Sequence, residues 1–352
     1  MKNIVFLYTE IAEYFLACIE KAVQKNVHIH IFRWKLNNEA PFQFRNLEKV
    51  NFYNREDYSE ESLLEEILKI NPAIILTSGW IDNGYMKVAQ FFRKKKIPVV
   101  VCLDNQWDGS FRQRIASIFG RRFIKNRFSH AWVVGNRQKK YALKLGFKEA
   151  NIETGFYSAD YELYDKYYQQ SLEIKSKKIP QKFIFVGRYI EQKNIFFLWN
   201  CFIEFIEQTK SNYQLISIGT GELFEKRINH NSIIHKGFIQ PIEFEEIINN
   251  TGIFILPSKF EPWGVVVHEF AIAGYPLVCS NTVGACDYFL EEGKNGYTFN
   301  PNDKQSLINI FIEISEKSDE ELRKMGENSR KLSQIITPEK WTETLMKLCK
   351  NE

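Results

Sequence analysis

The stretch Pro257-Ser258-Lys259-Phe260-Glu261-Pro262-Trp263-Gly264-Val265-Val266-Val267-His268-Glu269 joins a strand to a helix and carries two carboxylates near the junction. The apolar run 253–256 before it reads as a short buried strand, which Pro257 ends. Residues 265–273 read as a helix closed by Gly274 and Pro276. Glu261 therefore sits on a loop at the C-terminal edge of a strand, and Glu269 about one turn into the next helix. The backbone N–H groups of Gly264, Val265 and Val266 lie where that helix starts, and helix starts attract anions. Two carboxylates beside a ring of amide donors suit a ligand with both hydroxyls and phosphates. The spacing alone is equally compatible with a solvated loop glutamate and a surface helical one.

Outward from this stretch, strands and helices alternate. Before it come apolar runs at 183–186, 213–218 and 233–235, with helical segments at 194–208, 222–228 and 242–249 between or after them. After it come a strand at 276–279, a turn of helix at 287–290 and helices at 304–316, 320–333 and 338–350. The first 150 residues repeat the pattern, with strands at 4–7, 27–32, 50–53, 73–77, 98–103 and 130–134. Helices fall at 12–24, 59–69, 85–95, 112–123 and 138–146, and a polar, aromatic loop follows the strand 27–32. Such alternation implies parallel sheets covered by helices on both faces. The segment 161–178, polar and rich in Tyr and Lys, reads as a linker. The expectation is an α/β chain of two Rossmann-like domains: 1–157, a linker 158–181, 182–335, and a C-terminal helix in 336–352. Ligands of such sheets sit at C-terminal strand edges, and a cleft between two sheets is the natural site.

Composition fits this reading. The chain has 352 residues, 44% of them apolar and 26% charged, with 29 Phe and 16 Tyr. No apolar run reaches membrane-spanning length, and the opening residues 1–10 read as a first strand, not a signal peptide. The six cysteines form no Cys-x-x-Cys pair and suit reduced core thiols in the cytosol. Net charge is +4, divided as +10 over 1–150 and −6 over 151–352. Residues 87–127 alone hold 11 basic side chains and two acids, interleaved with Phe91, Phe92, Trp107, Phe111, Phe119 and Phe123. Such a block suits anionic lipid headgroups or a phosphorylated substrate, or is a solvated helix face.

The second half opens with a further anion-binding layout: a strand, Gly187-Arg188, then Lys193-Asn194 at a helix start. Arg188 offers a permanent fork of donors and Lys193 a point charge. Gly219-Thr220-Gly221 and Lys236-Gly237-Phe238-Ile239 follow at two more strand ends; alone, each is an ordinary turn. In this order, with Pro257-Ser258, Glu261-Pro262-Trp263-Gly264, Glu269, Gly274-x-Pro276 and Gly296, the series resembles the C-terminal half of family 4 retaining glycosyltransferases.

The resemblance covers about residues 183–300. It implies the GT-B architecture, two Rossmann-like domains facing across a cleft, and transfer of a sugar from a UDP- or GDP-linked donor with retention and without a metal or other cofactor. Carried over by position, Arg188 and Lys193 bind the donor diphosphate, and Glu269 holds the ribose hydroxyls. Glu261 contacts the donor sugar, helped by the amides of Gly264, Val265 and Val266. Gly219 and the Gly237, Phe238 and Ile239 loop line the nucleotide, and the last helix crosses back to the first domain. Retention by front-face attack and by double displacement both stay open. The acceptor half departs from the family pattern. A glycine-rich loop is replaced by Tyr8-Thr9-Glu10-Ile11, and a histidine by the strand end Leu103-Asp104, which makes Asp104 the acceptor-facing candidate. The expected partners are a glycan or lipid-linked acceptor and an anionic membrane surface, with no nucleic acid. The expected setting is surface polysaccharide synthesis in the cytoplasm or on the inner membrane face. A nucleotide-sugar-binding regulatory subunit and a non-hydrolysing epimerase are the alternatives.

Overall fold

The computed structural model describes residues 1–35 and 47–350, so most of the polar, aromatic segment expected after strand two lies outside the described residues. The chain divides into two units, 1–158 with 336–352, and 159–335.

The first unit is built on β1 (Lys2–Leu7), α1 (Glu13–Val23), β2 (Val27–Arg33), β3 (Val50–Asn54), α2 (Glu60–Ile70) and β4 (Ile74–Ser78). It continues through α3 (Asn83–Lys94), β5 (Val99–Leu103), α4 (Phe111–Arg127), β6 (His130–Val133), α5 (Asn136–Lys144) and β7 (Ile152–Glu153). Among the described residues its seven strands are all parallel, in the order β3-β2-β1-β4-β5-β6-β7. Strands covered on both faces must be apolar throughout, and Val99, Val100 and Val101 are wholly buried. Helix ends are capped as their residues suggest: Ser59 Oγ accepts from the Ser62 N–H, and Asp82 Oδ1 from the Tyr85 N–H.

The second unit opens with α6 (Tyr161–Lys177), β8 (Lys182–Val186), α7 (Ile195–Thr209), β9 (Gln214–Ile218) and β10 (Ile233–Lys236). Next come α8 (Glu245–Asn249), β11 (Ile253–Leu256), α9 (Val265–Ile272), β12 (Leu277–Ser280), α10 (Cys286–Phe289), β13 (Gly296–Phe299), α11 (Lys304–Glu316) and α12 (Asp319–Ser333). Its six parallel strands run β10-β9-β8-β11-β12-β13. The final helix, α13 (Pro338–Leu348), packs on α1 of the first unit. There the buried Trp341 donates to the Phe156 carbonyl at 2.8 Å and lies 4.9 Å from Trp132, ring to ring.

Three local expectations are corrected. The segment read as a linker is α6, a 17-residue helix belonging to the second unit. Its buried stripe is Tyr164, Tyr167, Ser171 and Lys175, which has helical spacing but almost no aliphatic character. Asp160 caps it, accepting from the Leu163 N–H at 3.1 Å. The helix expected at 222–228 is one three-residue turn, Phe224–Lys226. Beyond that turn, His235 Nε2 donates to the Ile228 carbonyl at 2.8 Å and holds the chain out of helical register. The helix expected at 242–249 begins as a Pro241–Glu243 turn and becomes α-helical only from Glu245. All six cysteines are buried free thiols.

Candidate functional site

In the second sheet β8 and β11 are neighbours, but the chain leaves them in opposite directions, toward β9 and toward β12. Their C-terminal loops therefore diverge and open a crevice at the point where strand order reverses, which is where ligands of such sheets bind. The loop after β8 carries Gly187, Arg188 and Lys193. The loop after β11 carries Ser258, Glu261 and Gly264. The two expected constellations, far apart in sequence, are thus brought to one sheet edge.

They are also tied together. Lys193 Nζ donates to Glu261 Oε2, with side chains 14% and 12% exposed. Ser258 Oγ donates to the same oxygen at 3.3 Å. Gln192 Nε2 donates to the Phe260 carbonyl at 2.8 Å, the Lys259 N–H to the Gln192 carbonyl at 2.9 Å, and Lys259 pairs with Glu191. Lys193 keeps two further N–H donors, and no bond between described residues falls on Glu261 Oε1.

Backbone geometry fixes Glu261 from its other side. It pairs with Val283 in an isolated parallel bridge, and the Gly284 N–H donates to its carbonyl at 3.0 Å. A Cβ on Gly284 would lie 2.1 Å from the Pro262 carbonyl oxygen, so only glycine fits this approach. Trp263 is buried edge-on to Tyr288 and Phe289 and anchors the loop. Gly264 turns the chain into α9 with φ of +91°, and no side chain caps that helix start. The amides of Gly264, Val265 and Val266 lie there, beside Glu261.

Glu269 lies on α9, half-buried, and the Tyr164 hydroxyl of α6 is hydrogen-bonded to it. Burial and the Glu269 charge hold the Tyr164 phenol well above its ordinary pKa, so it is a permanent donor. Sequence reasoning missed Tyr164, because the buried stripe of α6 that carries it lacks the aliphatic residues that mark a packed helix. Next to Glu269, His268 is buried and neutral. Its Nδ1 accepts from the Ala159 N–H at 3.1 Å, its Nε2 donates to the Ser333 carbonyl at 2.9 Å, and its ring stacks on Phe289 at 4.2 Å. Desolvation lowers its pKa to about 4.

Arg188 is exposed at the C-terminal end of β8. Gly219, at the end of β9, has φ of +141°, and a Cβ there would meet the Gly187 carbonyl oxygen at 1.9 Å. The Gly187 N–H donates to the Ile218 carbonyl at 3.0 Å, so the two loops run side by side. Gly237, Phe238 and Ile239 follow β10, all partly exposed. Asp104 lies in the first unit just past β5, where its Oδ2 accepts from Tyr157 at 3.2 Å and its carbonyl from Gln138 at 3.0 Å. Among the described residues no group of three or more His, Cys, Asp or Glu is arranged to hold a metal ion.

Residues 166–332, nearly all of the second unit, match the family described as Glycosyl transferases group 1. The capsular polysaccharide biosynthesis glycosyltransferase CapM of Staphylococcus aureus is 28% identical over 224 residues, 59% of this chain and 55% of that protein. The chain spans about half the length of the curated relatives it matches. Among solved structures, sucrose-phosphate synthase from Thermosynechococcus elongatus superposes with a TM-score of 0.74 at 16% identity, over 99% of this chain and 98% of that one. Anabaena HepE, crystallised with UDP and glucose, gives 0.71 at 14% identity over 99% of each chain. The likeness to these structures is one of fold. Each of the two units is a parallel sheet flanked by helices, and together they have the two-domain α/β architecture of GT-B proteins.

Proposed function

We propose that this protein moves a sugar from a UDP- or GDP-linked donor to a glycan or lipid-linked acceptor, with retention of configuration and without a metal. The observation that carries the reading is the joining of Lys193 and Glu261 across the β8 and β11 loops, beside the uncapped start of α9. A nucleotide-sugar presents hydroxyls, a diphosphate and a base, and the loops at this sheet edge carry groups of matching chemistry. Glu269, steadied by Tyr164, takes the ribose hydroxyls. Arg188, Lys193 and the α9 amides take the diphosphate. Glu261 takes a sugar hydroxyl on Oε1, and the Gly237, Phe238 and Ile239 loop borders the base.

In the reaction the bond between the anomeric carbon and the phosphate oxygen breaks, and a bond from the acceptor oxygen to that carbon forms. Negative charge grows on the leaving phosphate, where fixed cations and amides stabilise it more than they stabilise the ground state. A carboxylate already bound by an ammonium and a hydroxyl is a poor nucleophile. The bonds on Glu261 Oε2 thus favour front-face attack, in which the leaving phosphate takes the acceptor's proton. Asp104 is the acceptor-side candidate of the first unit. The likeness to CapM and the UDP and glucose bound by Anabaena HepE support a polysaccharide pathway and a nucleotide-sugar donor.

The test is release of nucleoside diphosphate from a panel of UDP- and GDP-sugars in EDTA, with and without a polysaccharide or lipid-linked acceptor. Turnover of one donor, with the sugar appearing on the acceptor, supports the proposal. Tight donor binding without turnover on any acceptor would instead identify a regulatory nucleotide-sugar binder. Interconversion of donor sugars without transfer would identify an epimerase.

A further inference from the structure

The outer face of α4, in the first unit, takes no part in the donor site. Phe111, Ile115 and Ile118 stand on it, 79%, 42% and 67% exposed, at the i, i+4, i+7 spacing that makes one stripe. Arg114, Arg121, Arg122 and Lys125 are exposed on the same side of the helix, and residues 111–127 contain no Asp or Glu. The opposite side faces the unit. Ile124 is buried, and Arg127 stacks on Phe123 at 3.9 Å and donates to Gln90 of α3 at 3.4 Å. At the end of α3, Lys94, Lys95 and Lys96 are exposed and extend the cationic field. A globular surface gains nothing from a large aromatic ring and two isoleucines held in water.

We propose that the first unit docks on an anionic lipid surface through this face of α4. Cations flanking an exposed apolar stripe are the chemistry of a helix that lies in a membrane interface. The arginines and lysines meet lipid phosphates while Phe111, Ile115 and Ile118 enter the acyl boundary. Nucleic acid would use the cations but leave both isoleucines without a partner. A complementary protein would supply carboxylates, and it enters as an outcome of the test. No helix among the described residues is long and apolar enough to cross a membrane, so the contact is interfacial. The inference rests on the first unit alone and is independent of the donor-site reading.

The experiment is co-sedimentation of the full chain with vesicles of phosphatidylcholine, with and without phosphatidylglycerol, at low and high salt. Sedimentation velocity without lipid accompanies it. Binding should require phosphatidylglycerol and weaken with salt. R121A/R122A should lower the partition coefficient about 30-fold, or about fivefold for each cation removed. F111S/I118S should lower it at least tenfold by removing the apolar anchor. All four side chains are exposed, so both variants should keep the wild-type circular dichroism and melting temperature. Equal binding to both vesicle types, no binding to either, or unchanged binding of both variants would overturn the proposal. So would an oligomer in the absence of lipid that the variants dissociate, because the face would then be a protein interface.

Discussion

Lys193 and Glu261, 68 residues apart, form an ion pair that closes the loop after β8 onto the loop after β11. Sheet order makes this possible: β8 and β11 are adjacent, so the chain brings one cation and one carboxylate to the same crevice from two directions. The pair is mostly desolvated, so each partner depends on the other. K193M or E261Q alone should lower stability by about 3 kcal/mol, and the double variant by less than the sum. Each single variant should also reduce donor turnover at least about a hundredfold. Denaturant unfolding and steady-state kinetics on the three variants check both statements.

The Tyr164 hydroxyl is hydrogen-bonded to Glu269, so on the proposed function it positions that carboxylate without touching the donor. Y164F removes one hydrogen bond to a charged group, and the Michaelis constant for the donor should rise about tenfold with little change in kcat. E269A should cost far more on the same assay, and equal losses in the two variants would deny Tyr164 its positioning role.

Gly219 marks a close backbone approach. G219A drives a methyl group into the Gly187 carbonyl and should destabilise the second unit by at least about 3 kcal/mol. Gly293 also has positive φ, at +71°, but nothing lies near its missing Cβ. G293A should therefore cost only the left-handed strain, about 1 kcal/mol. Urea midpoints of the two variants compare the effects directly.

The His268 pKa is depressed, from an ordinary 6.5 to about 4, by burial. The unfolded chain binds the proton that the folded chain refuses, so stability is full above pH 6.5 and falls as pH drops toward 4. Below that it levels off. H268Q, whose amide reproduces one acceptor and one donor, should flatten this part of the pH profile. His30, also lowered to about 4 by burial, contributes a second such slope from the first unit. Melting temperatures of wild type, H268Q and H30Q between pH 7 and 4 separate the two.

If cations and amides neutralise the leaving diphosphate, activity should persist undiminished in EDTA. Added magnesium should then change turnover by less than about twofold. Loss of all activity on chelation, recovered by one divalent ion, would mean that these residues do not suffice.

The alternation of strands and helices was legible in the sequence because strands buried on both faces must be apolar throughout. Residues 99–101 and 253–256 could be little else. Helix α6 was not legible, because its buried stripe uses tyrosine hydroxyls, a serine and a lysine where aliphatic residues are expected. Apart from Glu269, which lies about one turn into α9, the donor-site candidates followed strand ends, so their position at a sheet edge was readable. The pairing of Lys193 with Glu261 was not, because it depends on which strands are neighbours, and no local pattern reports that. Tyr164 escaped for the same reason, since its partner lies on a helix more than 100 residues away.

On the proposed function the β8 and β11 loops hold a nucleoside diphosphate. Titration calorimetry of UDP and GDP against wild type, R188A and K193M in EDTA tests it most directly. One nucleotide should bind the wild type, with Kd weakened about tenfold or more in each variant, in proportion to the lost charge-assisted bonds. Unchanged affinity in both variants would place the diphosphate elsewhere and contradict the assignment.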